Sequence, residues 1–256
     1  MSELMERISN IGVVPVVVIN DPKHAVPACE ALYRGGIDVA EITFRTAAAE
    51  ESIRLVSEAC PDMLVGAGTV TTIEQVDRAM AVGAKFIVTP GFNPNVVKYC
   101  VSHDIPIVPG CMDTNAIEMA IEAGLDTVKF FPAEQAGGLK MMKALAGPYT
   151  TLKFMPTGGI NMDNMNEYLA FKKIICVGGS WMIKADMIDK EQFDKIEELS
   201  RETIKKMLDL RVEKLDPETN TITLKTSSLK RFNYHMAKQG LDLTSGFGGC
   251  KVIVTE

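Results

Sequence analysis

The chain has 256 residues, with 27 Lys and Arg against 33 Asp and Glu and a net charge of −6 at pH 7. That weak acidity argues against nucleic acid or an anionic membrane as the main partner, because both want a basic face. A 46% hydrophobic and 23% charged composition is that of an ordinary folded protein, not a disordered one.

The opening MSELMERISNIG is polar and acidic where a secretory signal would be apolar. The densest apolar run, residues 11–19, contains Pro15 and is shorter than the ~20 residues a membrane span needs. Six cysteines, Cys29, Cys60, Cys100, Cys111, Cys176 and Cys250, are scattered without a CxxC pair. They read as reduced, mostly buried thiols, so a cytoplasmic protein is expected.

Short β-rich runs then alternate with amphipathic stretches. Strands are predicted at residues 13–19, 39–44, 64–67, 86–89, 107–109, 127–130, 153–157 and 174–178. Helices are predicted between them at 23–33, 48–59, 72–81, 95–102, 116–123, 139–145 and 163–170, with a last one at 190–208. Gly35-Gly36, Gly83, Gly124 and Gly147 mark helix ends where a left-handed cap is easiest for glycine.

Eight strand–helix units predict an α/β fold, a (β/α)8 TIM barrel over residues 1–210. The competing open sheet lacks support, because Asn20-Asp21-Pro22 follows the first strand where a dinucleotide fold would carry Gly-x-Gly-x-x-Gly. Residues 211–256 differ in character. Residues 216–220 read as a turn-forming linker, 221–225 as a strand, 227–238 as a helix and 251–254 as a strand, with glycine-rich Ser245-Gly246-Phe247-Gly248-Gly249 before the last. This small β-α-β appendage has too few residues for its own core, so it is expected to dock on the barrel or on a neighbouring subunit.

Active groups in such barrels sit where strands end. Strand two closes with Glu41, Thr43 and Arg45, alternate residues that share one face. If that face is the interior, a carboxylate and a guanidinium are buried together, either as a core ion pair or as working groups. Gly66-Ala67-Gly68-Thr69 after strand three and Thr89-Pro90-Gly91-Phe92 after strand four are either ligand cradles or tight turns.

Strand six, Thr127-Val128-Lys129-Phe130-Phe131-Pro132-Ala133, is the most informative. An ammonium inside an apolar, aromatic run is costly. Burial favours the neutral amine, which is the form that attacks a carbonyl to make a Schiff base. A lysine snorkelling to the rim is the alternative, and the aromatic flanks weigh against it. Strands seven and eight end in Thr157-Gly158-Gly159 and Gly178-Gly179-Ser180, where barrels commonly bind phosphate. The three histidines, His24, His103 and His235, are not at strand ends or at ligand spacing, so no metal is expected. Asp113 and Glu118 read as a solvated helix start.

In this order the pieces resemble the 2-keto-3-deoxy-6-phosphogluconate (KDPG) aldolase family, small class I aldolases that include 4-hydroxy-2-oxoglutarate (KHG) aldolase. The matching segments are VPVVV (14–18), GGIDVAEITFRT (35–46), VGAGTV (65–70), TPG (89–91), VKFFPAE (128–134), GG (137–138), AGP (146–148), PTGGI (156–160) and VGGSW (177–181), which span about residues 5–208. The resemblance implies Lys129 as the Schiff-base lysine and Glu41 as the proton-transfer residue. It implies Arg45 and Thr69 on the pyruvyl carboxylate, Pro90 and Phe131 lining the pocket, and Thr157, Gly158, Gly159 and Ser180 on the substrate phosphate. It also implies a keto-acid or sugar-acid phosphate substrate, no cofactor, and a homotrimer.

Phe44 stands where leucine is commoner, and strand five ends in Gly110-Cys111-Met112-Asp113. The galactonate branch resembles the chain less, because strand one has no arginine and Thr157 is present. The tail looks like a shortened form of an extension seen in some relatives, reminiscent of half a glyoxalase-type unit. Two rival readings are a mainly 4-hydroxy-2-oxoglutarate-cleaving aldolase and a catalytically silent phospho-ligand-binding barrel.

Overall fold

The computed structural model describes residues 2–242, 246 and 248–256. The predicted glycine-rich separator thus lies in part outside the described residues, at Ser245 and Phe247.

The barrel strands are β1 (Val13–Val17), β2 (Val39–Thr43), β3 (Leu64–Gly68), β4 (Ile87–Val88), β5 (Ile107–Val108), β6 (Thr127–Phe130), β7 (Lys153–Pro156) and β8 (Val177–Gly179). They are parallel, and the ring closes in order. One sheet runs β5-β4-β3-β2-β1-β8 and β6 pairs with β7. Bridges Gly110↔Lys129 and Thr157↔Gly178 join the two pieces. The amide of Lys129 donates to Pro109 O and that of Cys111 to Lys129 O, both at 2.8 Å, so the backbone of Lys129 itself helps close the barrel. Strands buried on both faces read as mostly apolar runs, which is why the eight were visible in the sequence despite the polar residues of β2, β6 and β7.

The helices are α1 (Glu3–Ile11), α2 (Ala25–Arg34), α3 (Ala49–Ala59), α4 (Ile73–Ala81), α5 (Pro94–Ser102), α6 (Thr114–Glu122), α7 (Gly138–Ala146), α8 (Met165–Leu169), α9 (Ala185–Asp189) and α10 (Phe193–Leu208). Gly36, Gly83 and Gly124 take left-handed backbone at helix ends, whereas Gly147 stays right-handed at φ −58°. Helix α1 went unpredicted. Ser2 caps it through Met5 N, Glu3 and Glu6 occupy its first turn, and Met5, Ile8 and Ile11 form its buried stripe.

After α10 come β9 (Arg211–Asp216), β10 (Thr221–Lys225), α11 (Leu229–Lys238) and β11 (Lys251–Thr255). The last three form the expected β-α-β unit, with β10 parallel to β11. Strand β9 was not foreseen. It pairs antiparallel with β10, so residues 216–220 form a hairpin turn and not a linker. Asp216 Oδ1 accepts from Glu218 N and Thr219 N, both at 3.2 Å, to hold that turn.

Helix α11 packs against the end of the barrel where the strands begin. Arg231 donates to Ile175 O (3.2 Å) and Ser9 O (3.4 Å), and His235 Nε2 lies 3.1 Å from Ile11 O. Asp38, buried just before β2, meets Arg7 (3.0 Å), Lys238 (3.0 Å) and the Tyr234 hydroxyl (2.5 Å). A Cβ at Gly12 would run into Met207 and Arg231, so the glycine at the end of α1 clears the seat for α11. No helix among the described residues is long and apolar enough to cross a membrane.

Candidate active site

Strand alternation places Thr127 and Lys129 of β6 on the interior face, with Val128 and Phe130 buried outward beneath the helices. The same alternation on β2 turns Val39, Glu41 and Thr43 inward. Strands two and six lie on opposite sides of an eight-stranded ring. Their side chains nevertheless meet across the axis, with Lys129 Nζ donating to Glu41 Oε1 at 3.1 Å. The lysine side chain is 6% exposed and the glutamate 0%. Removing one partner from a buried pair leaves an uncompensated charge and costs about 3–5 kcal/mol, so two such groups stay buried only together.

The second glutamate oxygen, Oε2, is buried without a hydrogen-bond partner among the described residues and retains acceptor capacity. The Phe131 ring centroid lies 5.4 Å from Lys129 Nζ and forms one wall beside the amine. A buried primary amine hydrogen-bonded to a carboxylate can give up a proton locally and attack a carbonyl.

The glycines near strand ends have a concrete purpose here. A Cβ at Gly68 would collide with the Glu41 carboxylate, and one at Gly66 with the Phe86 ring. A Cβ at Gly178 would collide with Thr157 Oγ1, and one at Gly179 with the Trp181 indole. These positions make room for neighbouring side chains, which neither the cradle nor the tight-turn reading anticipated.

The other implied site residues are spread around the mouth. Strand β2 ends at Thr43, whose hydroxyl donates to Val17 O at 3.0 Å. Arg45 lies beyond it in a turn, exposed, and makes no ion pair among the described residues. The carboxylate and guanidinium of that segment are therefore not buried together; the partner of Glu41 is Lys129. The strand stops two residues before Arg45, so the alternation that puts Glu41 inside does not extend to it.

Thr69 is half-buried and holds left-handed backbone at φ 57°, a costly conformation for a β-branched residue. Pro90 and Phe131 are half-buried. Thr157 is buried, and its hydroxyl has no hydrogen-bond partner among the described residues. Gly158 and Gly159 form a turn at φ 101° and 78°, and Ser180 is exposed on the adjoining loop.

Sequence reasoning missed Glu134 and Tyr168. The Tyr168 hydroxyl donates to the Glu134 carboxylate in a short contact, and the Glu134 amide donates to Gly158 O at 3.1 Å. A Cβ on Gly159 would strike the Glu134 side chain. Together they brace the glycine turn after β7 from below. The signal was present, since Glu134 closes the VKFFPAE segment, but nothing in the sequence ties it to Tyr168. Burial, followed by the bond to Glu134, raises the Tyr168 phenol far above its ordinary value. No cluster of three or more His, Cys, Asp or Glu among the described residues could hold a metal ion.

Working groups of parallel barrels gather at the carboxyl ends of the strands, and the buried Lys129–Glu41 pair marks this chain as a barrel with a polar site at its core. The family model "KDPG and KHG aldolase" matches residues 4–199. The 2-dehydro-3-deoxy-phosphogluconate aldolase of Treponema pallidum is 47% identical over 204 residues, covering 80% of this chain and 97% of its own. The KHG/KDPG aldolase of Escherichia coli K12 is 40% identical over 192 residues, covering 75% and 90%. A crystal structure of the Legionella pneumophila KDPG aldolase, with pyruvate captured as a covalent carbinolamine, superposes with a TM-score of 0.75. It shares 38% identity over 77% of this chain and 96% of that one. The chain belongs to the KDPG and KHG aldolase family.

Proposed function

We propose that this protein is a class I aldolase that cleaves 2-keto-3-deoxy-6-phosphogluconate to pyruvate and glyceraldehyde 3-phosphate through a Schiff base on Lys129. The observation that carries the reading is the 3.1 Å contact between the buried Lys129 amine and Glu41. The relatives' printed activities and the pyruvate carbinolamine of the Legionella enzyme support it.

In the proposed cycle Glu41 accepts a proton from Lys129, and the free amine adds to the C2 ketone. Glu41 returns that proton to the carbinolamine hydroxyl, which leaves as water to give a protonated imine. Glu41 then takes the proton of the C4 hydroxyl, the C3–C4 bond breaks, and its electron pair moves into the iminium as an enamine while the aldehyde leaves. The proton held by Glu41 is delivered to C3, and water hydrolyses the resulting iminium to release pyruvate and the Lys129 ammonium beside the Glu41 carboxylate. Arg45 and Thr69 hold the carboxylate, which fixes C2 beside the amine. Pro90 and Phe131 wall the pocket, and Thr157, Gly158, Gly159 and Ser180 receive the phosphate. We further infer a cytoplasmic homotrimer built from the 1–210 barrel, with residues 211–256 as a distinct extension.

The test is incubation with pyruvate and borohydride, followed by mass measurement and peptide mapping. A reduced adduct at Lys129, absent from Lys129→Met, is expected. Its absence from folded protein would overturn the aldolase reading in favour of a phospho-ligand-binding barrel. A second specificity, cleavage of 4-hydroxy-2-oxoglutarate to pyruvate and glyoxylate, is supported by the Escherichia coli relative, whose name, KHG/KDPG aldolase, carries both activities. Comparison of kcat/KM for the two substrates decides which is preferred.

A further inference from the structure

The C-terminal sheet is ordered β11-β10-β9, and among the described residues no strand lies on the outer side of β9. An open strand edge is a template for another strand, and proteins that keep such edges unpaired usually hide them. Strand β9 is instead exposed along nearly its whole length. Val212 is 57% exposed and Leu215 64%, more than any other large apolar residue described, and Leu210 beside them is 43% exposed.

A register shift makes the two apolar residues act together. Val212 sits opposite Leu224 and Leu215 opposite Ile222, with Glu213 as the extra residue of a bulge. Ile222 and Leu224 share a face, so Val212 and Leu215 lie on that face too, although they are three residues apart. The face is the one under α11, since Val252 and Val254, opposite Ile222 and Leu224, line a groove with Phe232 and Met236. The apolar layer beneath α11 therefore continues sideways onto β9 and ends in open solvent.

The strand reads Arg-Val-Glu-Lys-Leu-Asp, a sequence that is its own complement when reversed. Laid antiparallel against a copy of itself, Arg211 faces Asp216, Val212 faces Leu215, and Glu213 faces Lys214. Antiparallel self-pairing about a twofold axis requires opposed residues to share a face. Val212 and Leu215 meet that condition only because the bulge intervenes. We propose that β9 pairs antiparallel with β9 of a second copy of this chain across a twofold axis, joining two C-terminal sheets into one. The contact is isologous, with each strand supplying the same charges and apolar residues to the other. It buries the exposed Val212 and Leu215 and satisfies the open backbone edge. The pairing is independent of the barrel contacts of the proposed trimer.

The test uses the full chain and measures mass in solution by light scattering and sedimentation at matched concentration. Glu213→Lys sets Lys against Lys across the axis, and Lys214→Glu sets Glu against Glu. Each single variant is expected to have half the mass of the wild type or less. The double variant Glu213→Lys/Lys214→Glu recreates opposite charges in the same register and is expected to regain the wild-type mass. Leu215→Thr, which removes the apolar contact without adding charge, is expected to weaken assembly. Both charged residues are exposed and distant from the barrel mouth, so turnover per chain stays at the wild-type value and reports folding. Equal mass for all variants would overturn the proposal, as would a double variant that fails to recover.

Discussion

At the scale of single residues the site is a contact between two groups whose strands lie across a ring from one another. If Glu41 moves the protons of the cycle, Glu41→Gln is expected to lower kcat by about 10²–10⁴-fold and to slow borohydride trapping of pyruvate on Lys129, because the amine loses its proton acceptor. Turnover and trapping at the wild-type rates would show that another group moves those protons. Thr69 allows a different split, because its backbone is held in a region that suits glycine. Thr69→Gly is expected to relieve on the order of 1 kcal/mol of backbone strain. Thermal melting should therefore rise even as KM for the keto acid rises through the lost hydroxyl. Ser180→Ala is expected to raise KM for the phosphorylated substrate and leave that for 4-hydroxy-2-oxoglutarate near its original value, as steady-state kinetics would show.

At the scale of elements, what could be read from the sequence follows from what each element must do. The strands β1–β8 were legible because they are buried on nearly every side and their runs are mostly apolar, with few polar interruptions such as Glu41 and Lys129. Strand β9 was not, since four of its six residues are charged and it follows a polar helix. Helix α1 was missed because its apolar residues are few and its polar first turn resembles a loose terminus. Lys129 stood out as a cation in an aromatic run, but its contact with Glu41, 88 residues earlier, exists only once the ring closes.

The docking of α11 carries its own pH dependence. Burial lowers the affinity of His235 for a proton, against the opposing pull of the Ile11 carbonyl and Asp38, with Lys238 and Arg231 adding to the lowering. Above the ordinary value of about 6.5 the imidazole is neutral both docked and free, and stability is full. As pH falls below it, the freed helix takes up a proton that the docked one refuses, so stability drops by at most ~1.4 kcal/mol per pH unit until the docked residue titrates. Thermal melts from pH 7 to 5 should show this slope, and His235→Gln, which can still donate to Ile11 O, should flatten it.

At the scale of the molecule, burial controls the chemistry of the thiols. Cys29 and Cys176 are fully enclosed, and desolvation drives both far above the usual thiol value. Cys100 is pushed up to about 11 and Cys111 to about 12, again chiefly by burial. Alkylation of native protein at neutral pH should therefore begin at the partly exposed Cys60 and Cys250. The other four should react only on unfolding, an order that peptide mapping over time would reveal.

The ammonium and carboxylate in the barrel core also place activity and durability in opposition. An interior of this size gains most from side chains without charge, and replacing a buried ion pair with apolar residues of similar volume is often neutral or stabilising by about 1–4 kcal/mol. Lys129→Met combined with Glu41→Leu should then give an inert barrel that melts no lower than the parent. A population selected for heat resistance alone would drift toward that dead form. Retention of both groups is thus the signature of selection for turnover, and the polar core is a standing compromise between a machine that works and one that lasts.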